Sequence, residues 1–454
     1  MALHDGVDVG KEGEGNESLG RVKITRFVDG GVAIAAKFVH PIADAQNLAD
    51  FLHYWAKVHR ELAEGKTLNG IAEEISTIKI NEDSRKEENG ETNGTTEKAT
   101  EPETNGATEN HTNGVTEQHT NGSIKGTAKK ESKSTSVLPE DFKPYLDPDQ
   151  FMAYAAGDIN APTPDSSLIK ASRSLPIHRY DWWASTNGCP PPFLWRTQTA
   201  PEILASGIEF PPLSNPIPWS DLDVLSPISS YNLQFSPQEI ENMYKEASKD
   251  SESGSLRVSR LDALLAHIWT LIIRARNLPG DDEVFLNMIV NFRAKLEPPL
   301  PTSFIGTPAI LAYAKSTASN TSTSSSQTSG FASLAQALRS TVSSFTPSTI
   351  PNFLHDAAHG IETKRFWQTF IGKHHVTATS WLHHGLYDVD FGSGSRLRYA
   401  EPVMPPYLVC VTEGEGERKE GGKWYERGAT VSIHFETRVV DRLLQDPGLR
   451  RFDY

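Results

Sequence analysis

The chain has 454 residues, a net charge of −14 at neutral pH and two cysteines, Cys189 and Cys410. That length allows two or three domains with a sizeable core. The acidic balance excludes a phosphate-neutralising nucleic-acid binder, and two thiols build neither a disulfide framework nor a zinc site. Residues 1–19 form a polar, Gly-rich tail without the apolar centre of a secretion signal, and no stretch is apolar enough to span a bilayer. The expectation is a soluble, cytoplasmic monomer with no metal, membrane or nucleic-acid partner.

The first structured elements run from Arg21 to Trp55. Asp29-Gly30-Gly31 reads as a hairpin turn between two apolar strands. Val32, Ile34, Ala36, Phe38 and His40 share one strand parity, which predicts that the imidazole emerges on the buried face. After it, Leu48, Phe51, Leu52, Trp55, Val58 and Leu62 recur at helical spacing. The pattern His-x-x-x-Asp occurs three times, from His4, His40 and His384. Only His40 ends an apolar strand and precedes an amphipathic helix, a placement that suits a general base.

Residues 76–136 change character. The triplet Thr-Asn-Gly recurs at Thr92, Thr104, Thr112 and Thr120, and no Phe, Trp or Tyr occurs between Trp55 and Phe142. Such a segment buries too little apolar surface to offset its ordering entropy, so a disordered insertion is expected. Ordered chain is expected again from near Leu138. Trp182, Trp183 and Trp195 flank Pro190-Pro191-Pro192 in a packed, irregular approach to a strand, and residues 206–230 read as a Pro- and Ser-rich crossover.

Ser236, Pro237 and Glu239 form the start of a helix with a capping box. Ser259 caps a second, with Leu261, Leu264, Leu265, Ile268 and Ile272 on its apolar face. Val284 to Phe292 reads as a buried strand, residues 315–330 as a Ser/Thr-rich flexible loop, 405–411 and 428–435 as strands, and Val439 to Leu444 as an amphipathic helix. The whole is α/β in two halves, residues 20–205 and 231–454, and a ligand site between halves is a common arrangement.

Four segments in order resemble the BAHD-type coenzyme A-dependent acyltransferases, including their fungal trichothecene 3-O-acetyltransferase-like members. They are HPIAD at 40–44 with AQNLADFLHYWA after it, LDALLAHIWTLIIRAR at 261–276, NFRAKLEPPLPTSFIGT at 291–307, and SWLHHGLYDVDFGSG at 380–394. The resemblance implies two chloramphenicol-acetyltransferase-like domains with mixed sheets and a channel between them. Acyl-CoA is then the co-substrate, no cofactor is bound permanently, and the acceptor is a hydroxyl or amine of a small secondary metabolite. The activity implied is that of an acyltransferase moving groups other than aminoacyl groups.

Carried over, His40 Nε2 removes the acceptor proton, the acceptor attacks the thioester, and the imidazolium returns the proton to the departing thiolate. A side chain with an ordinary pKa of about 6.5 suits that cycle, and such assistance is typically worth ~10²–10⁴ in rate. For Asp44 three readings stand: an imidazole-orienting partner, the family's ion pair with Arg293, and a cap for the helix from Ala45. Asp390, Gly392 and Gly394 are implied to shape a turn at the domain interface, with Ser393 where the family carries tryptophan. Ser380 and Trp381 are implied to line the channel. His383 stands where one branch of the family carries an arginine that grips an acceptor carboxylate, which argues against an acceptor such as shikimate; the alternative reading is an ordinary exposed loop histidine. Arg274 and Arg276 are candidate cations for the CoA phosphates, although basic residues closing a helix are also expected from its dipole.

Val39 and Ala45 depart mildly from the family pattern. The segment ahead of His40 is short for the family, so the first domain is expected to be incomplete and to leave sheet edges and apolar surface uncovered. The competing expectation is therefore a truncated, catalytically inactive paralogue that binds only CoA or a partner. A condensation domain acting on carrier-bound acyl groups is disfavoured, because the chain has no carrier domain and no paired histidines in the motif.

Overall fold

The computed structural model describes residues 19–67, 152–207, 213–249, 256–301, 304–323, 328–360, 365–392, 397–415 and 422–453. The expectations for residues 1–18, for the insertion at 76–136, and for Ser393 and Gly394 lie outside the described residues. Residues 1–66 and 144–454 form one compact unit, and 67–143 a second that is described only at Thr67.

The α/β expectation matches a mixed sheet of six strands. These are β4 (Ile228–Phe235), β5 (Glu283–Asn291), β6 (Ala309–Thr317), β8 (His375–Ser380), β9 (Leu408–Glu413) and β10 (Ala429–Glu436), in the order β4-β10-β9-β8-β5-β6. Strands β5, β8 and β9 run parallel, while β6, β10 and β4 pair antiparallel with their neighbours. The carboxyl ends of the parallel strands therefore lie at one edge, which collects Asn291, Ser380 and Glu413. Ligands of open α/β sheets bind at such an edge.

A helical layer packs around α5 (Arg260–Arg276), with α4 (Pro237–Ser248), α7 (Thr328–Ser343) and α9 (Thr437–Leu444) against it. Every residue of α5 from Asp262 to Ile273 is buried, so its exterior is apolar nearly all round, as for a helix inside a core. Both predicted N-caps are present. Ser236 and Glu239 complete one capping box, and Ser259 and Asp262 a second that pattern reading had credited to the serine alone. Asp262 also accepts from Arg339 Nε at 2.8 Å, which links α5 to α7.

Two boundaries differ from expectation. Within 315–330 the described residues are strand and helix, not loop: β6 runs into α6 (Ala318–Thr323), and α7 begins at Thr328. Composition hid a helical period, since Phe331, Leu334, Ala335 and Leu338 are buried and lie on one face. The stretch read as a crossover, 206–230, contributes to the core among its described residues. Ile217, Trp219 and Leu222 already belong to the main core, and β4 starts at Ile228. Helix α2 (Ser166–Arg173) packs on α8 (Ile350–Ala358), the two-residue strands β3 (Tyr180–Asp181) and β7 (Phe366–Trp367) pair, and α3 (Pro201–Ala205) is a short turn of helix. A buried Asp181–Arg365 ion pair at 2.7 Å closes the β3–β7 contact.

The N-terminal part is small. Strands β1 (Gly20–Arg26) and β2 (Val32–Phe38) form a two-stranded antiparallel sheet, followed by α1 (Ala45–Ala63). Gly30 has φ +88° and holds the predicted turn, while Gly31 N donates to Asp29 Oδ1 at 2.9 Å. Val22, Ile24, Phe27 and Val32 on this hairpin are exposed.

Candidate active site

Strand β2 ends at Phe38, and His40 lies in the turn that follows, where Ile42 N donates to Val39 O at 3.1 Å. The imidazole is exposed rather than buried. Strand parity fails here for two physical reasons. The strand stops two residues early, so alternation does not extend to position 40. The hairpin also has no further strand among the described residues, and its inward side chains Ile34, Ala36 and Phe38 are only half-buried.

The turn is pinned from the far side of the chain. Asp44 caps α1, Oδ1 accepting from Asn47 N at 3.2 Å, while Oδ2 accepts from Arg293 Nη1. Both oxygens are thus occupied, and among the described residues none bonds to His40. The observed geometry combines the cap with the ion pair and leaves out the imidazole-orienting contact. Arg293 Nη2 continues to Gly306 O at 2.8 Å and Asn47 Oδ1 at 3.3 Å. Asn47 closes the circuit: Nδ2 donates to Phe304 O at 3.0 Å, and Oδ1 accepts from Gly306 N at 3.1 Å. The loop between β5 and β6 is thereby fastened to the first turns of α1. Its next residue, Thr307, places Oγ1 2.5 Å from His40 O and 3.4 Å from His40 Nδ1.

The C-terminal half of α1 lies against the loop after β8. His53 Nε2 is 2.9 Å from His384 O, and His59 Nδ1 is 2.9 Å from Phe391 O. A carbonyl only accepts, so both ring nitrogens carry protons. Trp55 meets Phe391 edge-on at 5.1 Å. Arg60 donates to Asp390 O, and its guanidinium is 3.9 Å from Asp390 Oδ2. Asp390 Oδ1 accepts from Gly392 N at 2.7 Å, and Gly392 has φ +78°. Asp390 and Gly392 therefore form the turn on which α1 rests.

Ser380 ends β8 at the same sheet edge, and Trp381 N donates to Val411 O at 2.8 Å. His383 is exposed, with φ +73°. Its backbone N donates to Glu413 Oε1 at 2.8 Å, and the buried Glu413 pairs with Arg427, which also reaches Asp388 at 3.2 Å. Glu413 and Arg427 went unread in the sequence because nothing local marks a carboxylate that binds a backbone 30 residues away. Asn47, Gly306 and Thr307 lie inside the recognised segments, but their contacts span more than 250 positions.

The proposed CoA cations are not brought to His40. Arg274 Nε pairs with Asp446 at 3.0 Å, and Arg276 Nη1 donates to Lys373 O and His375 O, each at 2.7 Å. Burial lowers the pKa of Arg276 to about 10. His375 pairs with Phe285, near the start of β5, whereas Arg293 follows its end. Arg276 therefore lies at the opposite end of the sheet from Arg293, and the Arg274 guanidinium is engaged by Asp446. Among the described residues, no group of three or more His, Cys, Asp or Glu could hold a metal ion, and no helix is long and apolar enough to cross a membrane.

A family model described as the Transferase family matches residues 7–149 and 210–408. The chain belongs to that family, that of the BAHD-type acyltransferases. Acyltransferase AFT15-1 of Alternaria alternata is 24% identical over 331 residues, covering 72% of this chain and 59% of the relative. Agmatine coumaroyltransferase of Arabidopsis thaliana is 29% identical over 90 residues, 20% of each chain. Among solved structures, F. graminearum TRI101 complexed with coenzyme A and deoxynivalenol aligns with a TM-score of 0.43 at 20% identity, covering 51% of this chain and 50% of that one. Vinorine synthase aligns with a TM-score of 0.34 at 18% identity, covering 64% and 60%. The chain thus spans 59% of the length of the Alternaria acyltransferase and half that of TRI101.

Proposed function

We propose that the protein transfers an acyl group from acyl-CoA to a hydroxyl or amine of a small secondary metabolite, with His40 as general base. The supporting observation is the separation of duties around the imidazole. Asp44 is committed to Arg293 and to the helix cap, so the turn is held by groups that do not compete for the base. The imidazole meets one protein hydroxyl at Nδ1, which leaves Nε2 for the acceptor proton. Nε2 takes that proton as the acceptor oxygen or nitrogen bonds to the thioester carbon. The tetrahedral adduct then expels the CoA thiolate, and the imidazolium returns the proton to sulfur. Ser380, Trp381 and His383 form the acceptor side of this reading, at the carboxyl end of β8.

The exposure of His40 favours a second reading, a non-catalytic relative that binds CoA or a partner. A solvated base at the edge of a two-stranded sheet does not exclude water, and exclusion strengthens electrostatic assistance. One experiment separates the two. Purified full chain is incubated with acetyl-CoA and a panel of hydroxyl- and amine-bearing metabolites, and both released CoA thiol and acetylated product are measured. Turnover that His40→Ala abolishes supports the transferase. Calorimetric CoA binding without turnover supports the second reading.

A further inference from the structure

We infer that Thr307 is a positioning residue that sets the tautomer of His40; the inference rests on the reading of His40 as base. The argument is one of proton counting. The Thr307 hydroxyl has a single hydrogen and faces two groups, the carbonyl of His40 at 2.5 Å and its Nδ1 at 3.4 Å. The carbonyl has no proton to give, so the short contact takes the hydroxyl hydrogen. The oxygen then offers Nδ1 only lone pairs, and a neutral imidazole satisfies it by carrying its proton on Nδ1. Nε2 is left as the unprotonated nitrogen, which is the form a base requires.

No carboxylate among the described residues bonds to this ring, so the hydroxyl stands where many hydrolytic sites place an acid. Thr307 is itself held by the circuit around it. Gly306, the preceding residue, is fixed through its carbonyl by Arg293 and through its N–H by Asn47. Gly306 adopts φ +147°, and a Cβ there would lie 2.9 Å from the Phe304 ring, so the backbone that presents the threonine requires glycine. Asp44 therefore reaches the imidazole indirectly, by way of Arg293, Gly306 and Thr307.

The test reads the ring itself. Full chain labelled with 15N-histidine is studied by long-range proton–nitrogen correlation above the imidazole titration range, with His40 assigned by loss of its signals in His40→Gln. The wild type is expected in the Nδ1–H form. Thr307→Val, which keeps shape and removes the hydroxyl, should shift the tautomer ratio toward Nε2–H by about threefold or more. Thr307→Ser should restore the wild-type ratio. An unchanged ratio in the valine variant, or a wild type already in the Nε2–H form, overturns the inference. If the ratio shifts as expected while the wild type releases no thiol from acetyl-CoA with any acceptor, the base reading fails and the positioning role stands.

Discussion

Asp44 and Arg293 form a buried ion pair across 249 residues of sequence, their side chains 11% and 8% exposed. Breaking such a pair from one side strands the other charge, which costs about 3–5 kcal/mol. Arg293→Ala should therefore lower the denaturant midpoint by that order and reduce soluble yield. Asp44→Asn keeps a cap oxygen and should cost less. A wild-type midpoint for Arg293→Ala would remove the pair from any account of stability.

His40→Ala should behave in the opposite way. The imidazole is exposed and touches the fold through Thr307, and exposed substitutions usually change stability by within about 0.5 kcal/mol. Acyl transfer should be lost, by ~10²-fold or more, at an unaltered melting temperature. Equal turnover in the variant would dismiss His40 as the base.

Acid should unfold this protein through histidines remote from the site. Burial lowers His178 to about 4, His267 to about 3 and His375 to about 2, against about 6.5 in the unfolded chain. The unfolded state thus binds more protons below neutrality, so stability is complete above pH ~6.5 and falls as pH drops toward 4. His178 alone accounts for about 3 kcal/mol of that loss once pH has fallen below its folded value. His178→Phe should flatten the fall in a pH series of urea midpoints; a slope equal to wild type counts against the assignment.

His374 carries the opposite sign. Its hydrogen bond to Asp221 Oδ2 at 2.7 Å raises its pKa, as does a second, to Asp282 at 3.0 Å. A raised value contributes stability below the ordinary imidazole range and loses it as pH climbs through the folded value. His374→Gln should remove a descending limb on the alkaline side of the stability profile, visible in melting curves taken from pH ~6 to ~9.

The seat of α1 can be loosened without touching His40. Gly392 has φ +78°, and a Cβ there would approach Arg60 Cγ to 2.8 Å. Gly392→Ala combines backbone strain of about 1–3 kcal/mol with displacement of the arginine that holds Asp390. Hydrogen exchange should quicken in the amides of α1 while those of α5 keep their protection. Uniform protection in both helices would mean that the Asp390 turn does not anchor α1.

Much of the layout was legible because it is local. Ser236 and Ser259 announced their helices, the turn at Asp29-Gly30-Gly31 announced the hairpin, and β5 was found to within a residue at each end. Position 40 misled because alternation describes a strand, and the strand had ended. The stretch 315–330 misled because its serines and threonines were weighed above the helical spacing that continues through Phe331, Leu334 and Leu338. Arg274 and Arg276 looked available because sequence displays a charge but not the Asp446 carboxylate or the carbonyls that occupy it. The Glu413–Arg427 brace and the Asn47 circuit have no local signature, since each joins segments that meet only in the folded chain.

Helix α1 is held at one end by residues near 300 and along its length by residues near 390. A ribosome therefore delivers α1, and the His40 turn just ahead of it, long before the residues that hold them exist. Those contacts cannot form until the residues near 390 have emerged. Seating of α1 is then a late event of maturation, and a nascent chain stalled before Phe391 would carry His40 without the contacts that α1 makes with the Asp390 turn.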